Sequence, residues 1–193
     1  MIITAREIID IIIMTAVVGF IFSGIFERFR KPVAYEPLKH YRNFNFENFK
    51  FAAMVTAPAI ILHEFGHKFV AMGFGYHAVF HAAYLWLLIG VIIRLANFGF
   101  IFFVPAFVSV GCTAIPCKII PWQHSLIAFA GPAVNLILWL GALLIIKQNL
   151  VNKKYLPFVF LTSRINMFLF FFNMIPLRPF DGYYVFQGLL ALF

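Results

Sequence analysis

The chain has 193 residues, of which 63% are hydrophobic and only 11% charged. That balance excludes an ordinary soluble domain, in which about a quarter of the residues are charged. The net charge of +8 comes from scattered Lys and Arg, which points to cations flanking membrane spans and touching lipid headgroups, and gives no reason to expect nucleic-acid binding.

Taken in chain order, the first apolar stretch runs from Ile8 to Phe26. It carries Glu7 and Asp10 at its start and has no small-residue cleavage site behind it, so it reads as a retained helix and not a signal peptide. The segment from Glu27 to Lys50 holds Arg28, Arg30, Lys31, Lys39, Arg42 and Lys50 interleaved with Glu27, Glu36 and Glu47. It is too short for an independent core and reads as a solvated loop. Phe51 to Phe74 is a second stretch of spanning length.

Residues 76 to 122 are less regular. Tyr84 to Ala96 is apolar but short for a full crossing, and Gly99 to Val110 is rich in Phe, Val and Ile around Pro105. Proline and β-branched residues disfavour a helix interior, so this piece is expected to be extended or a hairpin, dipping into the membrane where protein or water covers its backbone. Cys112 and Cys117 match no tight zinc spacing and read as packing residues. Spans follow at Ser125 to Ile146 and Tyr155 to Ile175, and Tyr183 to Phe193 is too short to cross. The expected fold is an all-α polytopic, multi-pass integral membrane protein of the cell membrane. It has about five to six transmembrane helices and a short re-entrant or β-hairpin segment after the second. Its units are residues 1–50 (first helix and basic loop), 51–182 (core) and 183–193 (the shortened start of a further helix).

His63-Glu64-Phe65-Gly66-His67 lies about halfway along the second stretch. His63 is twelve residues after Phe51, about 18 Å of helix at 1.5 Å per residue, against a hydrocarbon layer of about 30 Å. Ionisable groups at that depth mark function by default. Four residues apart on a helix, the two imidazoles share a face and can hold one metal ion, with Glu64 beside it as a general base.

A metal held by two His needs at least one more protein ligand. After Glu64 the chain has one further acid, Asp181, at the end of Asn173-Met-Ile-Pro176-Leu-Arg-Pro179-Phe-Asp181-Gly182. The prolines end the preceding helix, and Gly182 is expected to allow a turn at the Asp. Zn²⁺ with one carboxylate each from Glu64 and Asp181 makes a neutral site, whereas either carboxylate alone in lipid is strongly disfavoured. A third motif, Gly131-Pro132-Ala-Val-Asn135, offers a close helix approach and an amide able to hydrogen-bond across helices.

Together, and in this order, the three motifs resemble the site-2 protease family of intramembrane zinc metalloproteases over about residues 51 to 182. The resemblance implies one zinc ion bound by His63, His67 and Asp181, with Glu64 as general base and acid. It implies Asn173 in the site, holding substrate or the developing oxyanion, and Asn135 as a nearby structural or substrate-facing residue. The resemblance also places the zinc nearer the cytosolic face; for such chemistry the expected substrate is itself a transmembrane helix, unwound and added as a strand to Gly99–Val110. Arg178 and Tyr183 depart from the family's usual residues, and the peptide-binding domain of some members has no counterpart. Two other readings share some of these residues. One is a membrane metallopeptidase facing water, which commonly takes a later Glu as its third ligand. The other is a zinc transporter or metal sensor, for which His77 and His81, at the same four-residue spacing, would supply a second site. Otherwise that pair reads as interfacial His near the end of the second helix.

Overall fold

The computed structural model describes residues 3–25, 45–96, 104–112 and 119–191. Over these the chain is mostly helical, with α1 (Ala5–Ser23), α2 (Phe46–Gly73), α3 (Tyr84–Leu95), α4 (Pro121–Lys147), α5 (Leu156–Asn173) and α6 (Asp181–Leu190). Two strands, β1 (His77–Ala82) and β2 (Ala106–Gly111), form an antiparallel pair running from His77 opposite Gly111 to Ala82 opposite Ala106. Most of the basic loop, residues 99–103 of the expected extended segment, and Cys117 lie outside the described residues.

Three of the helix starts have a clear local cause. Thr4 caps α1 in a reciprocal box with Glu7, and the Asn45 side chain accepts from the N–H groups of Glu47 and Asn48 to start α2. The second helix therefore begins five residues before the apolar run, and Lys50 lies on it, 3.5 Å from Glu47, not in the loop. Pro121 opens α4, where a missing N–H costs nothing. Gly75, at φ +83°, turns the chain out of α2 into β1. His77 and His81 are thus on a strand and not at a helix end. Cys112 is disulfide-bonded, not a packing thiol.

The core is organised around α2, which contributes to three buried clusters. Ile60 packs with Met14 and Val18 of α1, Phe80 and Ala82 of β1, Leu87 of α3 and Ala106 of β2. Ala52 and Val55 meet Leu161 of α5, while Ala71 meets Ala78 of β1 and Ile127 of α4. The sheet is therefore wedged between α1 and α2, with its second strand lying over the site. Inside this apolar core, Lys68 forms a buried ion pair with Glu7 of α1. Truncating one partner of such a pair costs about 3–5 kcal/mol, because the other charge is left uncompensated.

By length and composition two segments are apolar enough to cross a membrane: α4, and Lys153–Asn173, which comprises a short 3-10 turn and α5. The remaining crossings expected from the sequence do not meet that measure, and α1 and α2 carry their own buried charges. Large apolar side chains such as Ile12, Phe69, Ile137, Leu144, Phe168 and Phe171 are exposed on the outside of the bundle.

Candidate metal centre

His63 and His67 lie on successive turns of α2, both buried, and Asp181 reaches them from the first turn of α6. The two Nε2 atoms are 3.1 Å apart, and Asp181 Oδ2 is 3.3 Å from His63 Nε2 and 3.4 Å from His67 Nε2. Zinc bonds of about 2.0–2.1 Å in tetrahedral directions put neighbouring ligand atoms about 3.3–3.4 Å apart, so the triangle has the size of one face of a zinc tetrahedron.

The surrounding hydrogen bonds fix which ring nitrogens face one another. His67 Nδ1 donates to the Ile127 carbonyl at 2.7 Å, and His63 Nδ1 donates to Asn135 Oδ1 at 2.5 Å. The Asn135 amide cannot be turned round, because its Nδ2 donates to the Ala59 carbonyl (3.2 Å) and to Asn166 Oδ1 (2.8 Å). Each Nδ1 carries a proton, so each neutral imidazole points the lone pair of its Nε2 at the other and at a carboxylate oxygen. Three converging electron pairs repel unless a cation sits among them. The donor set, two imidazoles and a carboxylate, suits zinc.

The backbone permits this approach at two glycines. A Cβ on Gly131 would lie 2.3 Å from His67 Nε2 and 2.8 Å from His63 Cε1, so α4 can pass this close to the converging edge of the imidazoles only without a side chain there. A Cβ on Gly182 would lie 2.3 Å from the Met174 carbonyl oxygen. Gly182 is helical and serves close packing; the turn expected at this position is instead made by the 174–180 segment, where Pro176 cannot continue α5. Asp181 enters at the N-terminus of α6, where a carboxylate is favoured by the exposed N–H groups.

Beside the triangle lies a cavity of about 680 Å³. Glu64, Asn173, His124 and Tyr184 line it together with the three candidate ligands, and β2 forms part of the wall through Ala106 to Val108 and Val110. Asn173 donates one amide N–H to the Leu169 carbonyl at 3.0 Å. Asn135 does not line the cavity; it is fully buried and its polar atoms are committed to His63, Ala59 and Asn166. As placed, it supports a ligand and does not face substrate. Replacing Asn135 with Ala is expected to free the His63 ring and weaken zinc binding about 10- to 100-fold, the usual effect of losing a partner behind a ligand, as measured by competition with a zinc-binding dye. Asn166 behind Asn135, and His124 and Tyr184 in the wall with ring centroids 4.8 Å apart, were not anticipated from the motifs. Asn166 is seven residues before Asn173, on the same face of α5, which is the one sequence signal it offers.

His77 and His81 stay apart from this centre: His81 bonds Ser109 Oγ at 3.0 Å. Among the described residues, His63, His67 and Asp181 are the one group of three or more such side chains close enough to share an ion.

Three candidate ligands, a neighbouring glutamate and an adjoining cavity are the arrangement of a zinc-dependent peptidase. The chain is 32% identical over 180 residues to "Putative zinc metalloprotease MJ0611" of Methanocaldococcus jannaschii, covering 92% of this chain and 81% of that protein. The chain belongs to this zinc metalloprotease family. It is also 27% identical over 130 residues to "Putative zinc metalloprotease sll0528" of Synechocystis, covering 67% of this chain and 28% of that protein. No family model matches the chain, and no solved structure matches it.

Proposed function

We propose that the protein is an intramembrane zinc metalloprotease of the site-2 protease type, hydrolysing peptide bonds within or near the transmembrane helices of other membrane proteins. The observation that carries the reading is the zinc-sized triangle of His63, His67 and Asp181, assembled from two helices inside an apolar bundle with Glu64 at the cavity beside it. The helices α1 and α2 are taken to cross the membrane with α4 and α5, the buried charges of Glu7 and Lys68 paired with one another and not facing lipid.

In this reading His63, His67 and Asp181 hold one zinc ion, which supplies Lewis acidity and makes water a nucleophile near neutral pH. Glu64 takes the proton from the attacking water and returns it to the leaving amine. Asn173 keeps a second amide proton for the substrate carbonyl oxygen. Asn135 and the Ile127 carbonyl hold the imidazoles in register.

The sheet suggests how substrate is presented. Phe80 and Ala82 turn their N–H groups toward α1, so Val79 and His81 face β2 and bond opposite Ser109 and Phe107. The main-chain groups of Val108 and Val110 therefore point to the other edge of β2, on the cavity side. An unwound stretch of substrate could add there as a strand, which exposes its peptide bonds to the site.

The test is cleavage by the purified protein of a single-span substrate in micelles, with the cut located by mass spectrometry. A cut inside the apolar segment, abolished by a zinc chelator and restored by zinc, is expected. Cutting confined to aqueous loops would remove the intramembrane part of the reading.

A further inference from the structure

α1 is in neither half of the metal centre, yet it holds two buried carboxylates, Glu7 and Asp10, that the chemistry above does not use. Both are spent on the inner edge of β1. Glu7 Oε1 accepts from the Phe80 N–H at 2.7 Å and from Lys68 Nζ, while Oε2 accepts from the Thr4 N–H (2.8 Å) and hydroxyl (3.2 Å). Asp10 Oδ2 accepts from the Ala82 N–H at 3.3 Å, and Oδ1 accepts from the Tyr84 hydroxyl.

The spacing is physically apt. Three residues of α1 advance about 4.5 Å along its axis, and the two residues from Phe80 to Ala82 advance about 6.6 Å. The extra methylene of Glu over Asp lets the two side chains reach both N–H groups. A carboxylate only accepts, so it matches the N–H donors of a strand edge and withholds them from a competing strand. Lys68 directly follows the ligand His67, so the single carboxylate of Glu7 joins α1, the zinc-ligand helix and the strand at one point.

We propose that Glu7 and Asp10 are positioning residues that close the inner edge of the sheet. Extended substrate is then left one edge to pair with, that of β2, held at a fixed height beside His63, His67 and Asp181. The inference rests on the proteolytic reading. A two-stranded sheet in apolar surroundings has two edges able to recruit an extended chain, and the cavity is lined by Ala106, Phe107, Val108 and Val110 of β2 but only by Ala82 of β1. α1 closes the wrong one with side chains.

The experiment compares Asp10→Leu and Asp10→Asn in the full-length protein. It measures zinc content, KM and kcat on a single-span substrate, and hydrogen exchange of the Ala82 amide. Leu removes the acceptor. Asn keeps one oxygen for Ala82 and can donate to the Tyr84 oxygen, so it preserves the edge without the charge. Asp10→Leu is expected to raise KM about tenfold, as one lost bond of ordinary strength implies. Its Ala82 amide is expected to exchange faster, with kcat within about twofold and zinc unchanged. Asp10→Asn is expected to behave as the parent protein.

Unmoved KM in Asp10→Leu, or an Asp10→Asn variant as impaired as Asp10→Leu, overturns the proposal. Should Asp10→Leu not fold, the pair Glu7→Leu with Lys68→Met removes the other contact without leaving a buried charge alone, and the same rise in KM is required of it. Cleavage by the parent protein that does not depend on Glu64 would instead strike the proteolytic reading, an outcome separate from an unmoved KM.

Discussion

Changing Glu64 to Gln is expected to leave zinc bound while lowering cleavage about 10²- to 10⁴-fold. Glu64 is not one of the three converging ligands, and Gln retains its shape and its place in the cavity wall. What the substitution removes is the proton acceptor, and a positioned general base contributes that range of rate. The comparison requires zinc content and turnover on the same preparation. Undiminished cleavage by Glu64→Gln would remove the proposed mechanism, and loss of zinc would place Glu64 among the ligands.

Asp181→Asn carries the second large effect, and it acts on the metal. Asp181 Oδ2 completes the triangle at 3.3 and 3.4 Å from the two imidazole nitrogens, and it is the only anionic member of the set. An amide oxygen offers zinc no charge. The affinity is expected to fall by more than about 100-fold, beyond the loss caused by disturbing a residue behind a ligand. Elemental analysis after dialysis against a weak chelator measures it. Asp181 is partly exposed at the first turn of α6, so the bundle itself is expected to stay folded, with unchanged helical circular dichroism. Full zinc occupancy in this variant would mean that the third ligand lies elsewhere.

The parts of the site that were legible in the sequence are those whose geometry is local or whose chemistry is rare. His63 and His67 share a helix face because of their spacing alone, and Asp181 is the one acid after Glu64. The helices α4 and α5 were also legible, as continuous apolar runs long enough to cross a membrane. The sheet was only half legible. Pro105 and the β-branched residues after it mark the β2 region as extended, whereas β1 was missed because His77 and His81 at a spacing of four imitate a helix face. Its partner strand begins at Ala106, well along the chain, and such non-local pairing leaves no mark in a short window.

The same distinction separates the asparagines. Asn173 and Asn135 stand in motifs, but only the fold reveals that Asn135 is locked between His63 and Asn166 while Asn173 borders the cavity. Glu7 and Asp10 are visible in the sequence as acids at the head of an apolar helix, which argues for a retained segment and not for the edge of a strand. Their partners Phe80 and Ala82 supply backbone groups, and backbone groups have no signature in composition.

Because the ligands are divided between positions 67 and 181, the order of synthesis matters. A chain emerging from its amino end makes the histidine helix long before the aspartate appears, and two imidazoles alone make a weak, incomplete nest for an ion. On the proteolytic reading proposed above, activity waits for α6 to dock, so maturation is timed by the meeting of two distant segments of the chain.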